Sequence, residues 1–214
     1  MPVRLLIVDD HRVFGQGLEA VLGAEPDFEP MSVSQPDQVI GVAAARRPDV
    51  VIMDIRLGAV SGIDLTRQLM TLPDPPVVVV LTAYSDAATV IGAVQAGAAG
   101  FVPKDASVEQ LLSAVRAALS GGSWLPTELL SRLFAAWPAP AEAPQAKLIR
   151  QLTAREREVL SLMVSGLDRN GIAARLRQSP NTVRTHIRNV TVKLGCHSAL
   201  EAVAVALRAG LRPQ

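Results

Sequence analysis

"LLIVDDHRVF" occupies residues 5–14, and its apolar run leads directly into two adjacent carboxylates, Asp9 and Asp10. A short Val- and Ile-rich run without polar alternation is how a strand buried on both faces reads. The same pattern recurs in "VRLLIV" (3–8), "DVVIM" (49–53), "PVVVVL" (76–81) and "GFV" (100–102). Helical spacing fills 12–23, 36–46, 62–71, 85–96 and 107–119. This alternation predicts an α/β fold, a parallel sheet covered by helices on both faces. The weakest strand is "FEPMSVS" (28–34), where Pro30 removes a ladder donor and is tolerable only at an edge. A doubly wound, flavodoxin-like order 2-1-3-4-5 of five strands puts that strand at an edge.

The chain has 214 residues and 49% apolar content, enough for two small domains with packed cores. Its net charge of +1 conceals an asymmetry: residues 1–150 carry 11 Lys and Arg against 16 Asp and Glu, whereas residues 151–214 carry 10 against 4. An acidic first part and a basic second part point to different partners, with nucleic acid a candidate for the second. Cys196 is the sole cysteine, so no internal disulfide forms, and it reads as a small half-buried apolar residue. No stretch approaches the ~18–20 apolar residues of a membrane span, so a cytoplasmic protein without a membrane partner is expected.

Three segments follow from composition. Residues 1–120 hold the strand–helix alternation, and 121–150 form a linker. In the linker Pro126 starts a short helix to about Ala136, and "WPAPAEAPQA" continues extended. Trp124 and Trp137 flank that helix and read as apolar caps on a neighbouring domain. Residues 151–214 are helical throughout, a small four-helix domain. Thr153 and Glu156 form a capping box, and Asp168, Ser179 and Ser198 cap the next three helices. Pro180 sits at the first helical position, while Gly166, Gly195 and Gly210 stop their helices.

In the proposed sheet order, Asp9 and Asp10 end the first strand and Asp54 the third, its neighbour at the switch point where such sheets build their sites. Three converging carboxylates are tolerable around a hard divalent cation, and oxygen ligands suit Mg²⁺. Thr82 ends the fourth strand with a hydroxyl, and Lys104 follows the fifth with an ammonium. Together these make a place for a phosphoryl group, with a partner for each oxygen. The acidic pair then holds the metal and Asp54 accepts the phosphoryl group. A lone Asp at a strand end is usually a helix cap or a solvated turn; five such residues at four strand ends in order are much rarer.

Residues 1–120 resemble the receiver domain of two-component response regulators, carried by the "DD", "MDIRLGAVSG", "LTAY" and "VPKD" stretches. The resemblance implies that Asp54 becomes an aspartyl phosphate. It also implies that Asp10, Asp54 and the Arg56 carbonyl bind Mg²⁺ directly, that Asp9 acts through water, and that Thr82 and Lys104 contact the phosphoryl group. Phe101 matches the family's aromatic switch position; as a residue, it reads equally as a core aromatic. The family usually has Pro four residues after the phosphorylated Asp, and Gly58 stands there, which predicts a looser loop. The Arg56 side chain stands at the mouth, where a cation would tune the lifetime of the phosphate.

The second and third helices of the basic part, joined by "RQS", read as helix-turn-helix. On the third, Val183, Ile187, Val190 and Leu194 form an apolar back. Asn181, Thr182, Arg184, Thr185, Arg188 and Asn189 form a polar front of a kind that fits a major groove. A solvated helix face is the alternative; it is weakened by three basic residues, counting Lys193, and no acid. Residues 152–210 resemble the LuxR-type DNA-binding domain of the NarL/FixJ class, carried by "LTAREREVLSLMVSG", "IAARL", "NTVRTHIRNV" and "KLG". By position, Arg184, Thr185 and Arg188 face base edges, and Asn181, Thr182, His186 and Lys193 lie nearer the backbone. In "LDRNGIA", Asp168 and Gly171 replace the usual Ser or Thr and Glu, and Gly171 costs about 1 kcal/mol of helix propensity. Leu200, Val203, Ala204 and Leu207 share one face of the last helix, for dimerisation or for closing the core.

The expected function is a phosphorylation-controlled transcription regulator rather than an enzyme. Its partners would be a sensor histidine kinase, promoter DNA, a second copy of the chain when active, and RNA polymerase as a further candidate. Two alternatives stay open. One is a DNA-binding regulator whose receiver is a phosphate-independent dimerisation module. The other, more remote, is a Mg²⁺-dependent phosphotransferase or phosphatase. Adjacent "DD" rather than D-x-D, and an attached helical domain, argue against the latter.

Overall fold

The computed structural model describes residues 2–83, 86–122, 124 and 148–211. The short helix expected from Pro126, the extended linker and Trp137 lie outside them. In the first part the order is β1 (Val3–Val8), α1 (Arg12–Leu22), β2 (Phe28–Val33), α2 (Val39–Arg46) and β3 (Val50–Asp54). A small hairpin follows, β4 (Arg56–Leu57) and β5 (Val60–Ser61). After it come α3 (Gly62–Leu69), β6 (Val77–Thr82), α4 (Ala87–Gln95), β7 (Gly100–Pro103) and α5 (Val108–Leu119). Strands β2-β1-β3-β6-β7 form one sheet, parallel throughout, in the order expected. Pro30 lies in the edge strand β2, opposite Leu5.

Side chains of a strand alternate between faces, and here both faces are apolar for two different partners. Leu6, Val8, Val51, Met53, Val78 and Val80 join Val39, Leu65, Leu69, Val90 and Val94 of α2–α4 in one core. Leu5, Ile7, Val50, Ile52, Val79 and Leu81 join Leu22 of α1 and Leu111, Leu112 and Val115 of α5 in the other. Burying each such side chain contributes about 1.5–3 kcal/mol, which is why the buried positions of these strands are apolar. Trp124 extends the sheet beyond β7: its carbonyl accepts from Phe101 N–H at 2.9 Å, and its ring is half-buried against the second core.

The loop after Asp54 is not looser. β4 and β5 close a two-residue hairpin whose first central residue, Gly58, has φ +64°. Proline, locked near −65°, cannot adopt that angle, and glycine at this hairpin position is favoured. The hairpin also brings Gly62 onto Asp54: a Cβ there would lie 1.9 Å from the Asp54 carbonyl oxygen.

The second part contains α6 (Ala154–Val164), α7 (Arg169–Leu176), α8 (Pro180–Leu194) and α9 (Ala199–Arg208). Both halves of the Thr153–Glu156 capping box are formed. Asp168, Ser179 and Ser198 accept from backbone N–H groups three residues on. Gly166, Gly195 and Gly210 take positive φ. The Gly171 helix forms even without a return carboxylate, because Asp168 Oδ1 accepts from Gly171 N–H at 2.7 Å. Val183, Ile187, Val190 and Leu194 are all buried in a core that the four helices share with Ile149, just before them. Among the described residues no single helix is long and apolar enough to cross a membrane.

The face expected on α9 divides between two partners. Val203 and Leu207, with Ala199, Ala202 and Ala206, belong to the helical core. Leu200 and Ala204, one turn apart, pack into the sheet domain's α2–α4 core instead. At the same seam, Ser198 Oγ donates to the Ala98 carbonyl at 2.9 Å.

Candidate phosphoryl-acceptor site and DNA-reading helix

The carboxyl ends of β1, β3, β6 and β7 open on one crevice. Asp9, Asp54 and Thr82 are buried there, and Asp10 is half-buried. Their burial follows from position: Asp54 and Thr82 are the last residues of β3 and β6 and Asp9 directly follows β1, so the backbone carries them to the sheet's rim. Lys104 reaches in from the end of β7, held by its N–H donating to the Thr82 carbonyl at 2.9 Å. Lys104 Nζ donates to Asp9 Oδ2 at 2.5 Å and to Asp54 Oδ2 at 2.7 Å. Desolvation works against this ammonium more than any other single influence, yet the hydrogen bonds and charges of Asp54 and Asp9 together raise its pKa. The Phe14 ring centroid lies 4.7 Å from Nζ and covers its outer side, a favourable cation–π placement.

Asp9, Asp10, His11 and Asp54 place one ligand atom each within 4.8 Å of one another. Asp10 Oδ1 is shielded from solvent and accepts no hydrogen bond. The oxygen-rich donor set and this orphaned oxygen fit a hard divalent cation. The Arg56 N–H points to Asp54 Oδ1 at 3.4 Å, so the β4 backbone lies beside Asp54. Phe101 is 1% exposed and packs in the first core, consistent with a core aromatic. His11 is the residue missed by sequence reasoning. Its only signal was its position directly after the acidic pair.

On α8, Asn181, Thr182, Arg184, Thr185, Arg188 and Asn189 are exposed and His186 is half-buried, so one continuous polar face exists. Part of it is already engaged. The Thr182 hydroxyl lies 2.8 Å from Ser179 Oγ in the cap, and Thr185 Oγ1 donates to the Asn181 carbonyl at 3.1 Å. Lys193 is committed most strongly, donating to Glu156 Oε2 at 2.7 Å. Glu156 is 4% exposed, and the Lys193 hydrogen bond holds its carboxyl below the usual range against desolvation. Lys193 therefore ties α8 to α6. Arg184 and Arg188 line a cleft shared with Pro75, Pro76 and Gly97 of the sheet domain.

Residues 5–116 match the response regulator receiver domain, and residues 150–206 match the bacterial regulatory proteins of the luxR family. The chain belongs to the two-component response regulators of the NarL/FixJ class. This response regulator is 30% identical to the transcriptional regulatory protein YxjL of Bacillus subtilis, covering 98% of this chain and 97% of that one. It is 31% identical to the DNA-binding transcriptional activator DevR/DosR of Mycobacterium tuberculosis, covering 95% and 94%. Among solved structures it resembles the response regulator ChrA of a heme-sensing two-component system at 32% identity and TM-score 0.53, covering 96% of each chain.

Proposed function

We propose that this response regulator is switched by phosphorylation of Asp54 and that the switch controls promoter binding by α8. Residues 1–120 would be the receiver, 121–150 the linker and 151–214 the DNA-binding domain. The observation that supports it best is the one cluster of Asp9, Asp10, Asp54 and Lys104, with Asp54 buried against the Lys104 ammonium. An Asp54 oxygen attacks the phosphorus of a kinase phosphohistidine. The N–P bond breaks as the O–P bond forms, and the imidazole leaves neutral, keeping the proton on its other nitrogen. Lys104 moves from the Asp54 carboxylate to a phosphoryl oxygen, and the Thr82 hydroxyl meets another. Asp10, Asp54 and the Arg56 carbonyl would hold Mg²⁺, with Asp9 acting through water; when bound, the ion neutralises phosphoryl charge.

The readout follows from the seam. Leu200 and Ala204 of α9 are covered by the receiver, and Arg184 and Arg188 face it across a cleft. Loosening the seam frees α8 for the major groove and the α9 stripe for a second copy, and the dimer would engage two half-sites. Movement of Phe101 would link the crevice to this seam. Arg184, Thr185 and Arg188 would read bases, while Asn181, Thr182 and His186 approach the backbone. The test is incubation with Mg²⁺ and a small phosphodonor. One acid-stable, base-labile phosphate per chain is expected in the wild type and none in Asp54→Asn, with promoter affinity rising only in the former. Equal labelling of both would remove Asp54 as the acceptor; labelling without a change in affinity would favour the phosphate-independent regulator.

A further inference from the structure

The cation crevice of a receiver is lined by oxygen, but here a ring nitrogen enters it. His11 Nδ1 lies 2.9 Å from Asp10 Oδ1 and 3.3 Å from Asp9 Oδ1. The 2.9 Å contact is out of line for a hydrogen bond, and Asp10 Oδ1 is left without one. Two atoms that approach this closely without a hydrogen bond are arranged as ligands of one ion are. Cis ligands of an octahedral cation with bonds of about 2.1 Å lie roughly 3.0 Å apart. The backbone sets this up: His11 precedes the first turn of α1, makes no side-chain cap, and donates its own N–H to Asp9 Oδ1 at 2.8 Å. The ring thereby stays over the acidic pair.

We propose that His11 Nδ1 is a direct ligand of the divalent cation held by Asp10 and Asp54, making the site a mixed nitrogen–oxygen one. This rests on the reading that the acidic crevice binds a divalent cation. Imidazole contributes little to Mg²⁺ and more to first-row transition ions, whose affinities rise along the series from Mn²⁺. The chain is therefore selective for Mn²⁺ over Mg²⁺, beyond what three carboxylates would give. The side chain is 75% exposed, so it can turn onto or off an ion without disturbing the core.

The experiment titrates the full chain with Mn²⁺ by electron paramagnetic resonance, with Mg²⁺ as competitor. Electron spin echo modulation of the bound Mn²⁺ then reports coordinated ¹⁴N. The wild type should show one site, histidine nitrogen modulation, and tighter binding of Mn²⁺ than of Mg²⁺. In His11→Ala the modulation should vanish and the Mn²⁺ preference fall several-fold, with Mg²⁺ binding nearly unchanged. Asp10→Asn should weaken both ions. Unchanged modulation and preference in His11→Ala would overturn the His11 assignment while leaving the crevice as a cation site. No saturable Mn²⁺ or Mg²⁺ binding by the wild type would overturn the crevice reading itself, and this inference with it.

Discussion

Lys193→Ala probes a residue whose sequence position suggested DNA and whose structural contact is Glu156. Glu156 is 4% exposed and hydrogen-bonds Lys193 at 2.7 Å. Removing one partner of a fully buried pair costs about 3–5 kcal/mol, because the remaining charge is stranded. Two features lower that here. The Lys193 side chain is 37% exposed, so water enters after truncation, and Thr153 N–H still donates to Glu156 Oε2 at 2.8 Å. A loss of about 2 kcal/mol is expected for the helical domain, or roughly 8–16 °C in Tm for a unit of this size. Hydrogen exchange of the α6 and α8 amides in the full chain reads it directly. Glu156→Gln keeps the cap but removes the charge, so Lys193→Ala should cost much less in that background, a coupling of about 1–2 kcal/mol. If Lys193→Ala changes stability by less than about 0.5 kcal/mol while flattening the salt dependence of DNA binding by about one unit, the lysine is a phosphate contact and the pair contributes nothing.

The same carboxyl sets an acid limit. Its folded pKa is depressed, so its stabilisation is present above the unfolded pKa and fades as pH falls through the folded one; Glu156→Gln should flatten acid unfolding of the helical domain below about pH 4.5. Arg184→Ala and Arg188→Ala should each lose about 1–3 kcal/mol on a specific duplex and little on a scrambled one; equal losses in a fluorescence titration would make them backbone contacts. Gly62→Ala forces the hairpin off the Asp54 carbonyl and should cost about 1–3 kcal/mol while reducing phosphodonor labelling; wild-type labelling and melting would show that the close approach relaxes freely. Ser198→Ala removes both the α9 cap and the bond to Ala98, about 1–2 kcal/mol, and should raise basal DNA affinity; unchanged affinity would mean the seam does not restrain α8.

Local chemistry determined a great deal of this protein. Unbroken apolar strands announced a sheet buried on both faces, and Pro30 agreed with β2 at an edge, because an edge strand tolerates a missing N–H. Thr153, Glu156, Asp168, Ser179 and Gly195 marked helix ends, since capping acts over three or four residues. The acidic pair, Asp54, Thr82 and Lys104 were legible because strand ends in such sheets converge whatever lies between them. What tertiary structure alone decided are the contacts between residues far apart in the chain. Glu156 and Lys193 are 37 residues apart, and Ser198 is 100 from Ala98. No periodicity relates them, and each side chain had a sufficient local reading as a cap or a solvated cation. The division of α9 between two cores was hidden for the same reason: an apolar stripe states that a face is buried, never against what. Gly58 and Gly62 belong here too, since a glycine in sequence signals only freedom, and the left-handed turn and the carbonyl 1.9 Å from a would-be Cβ exist only once the hairpin has closed on Asp54.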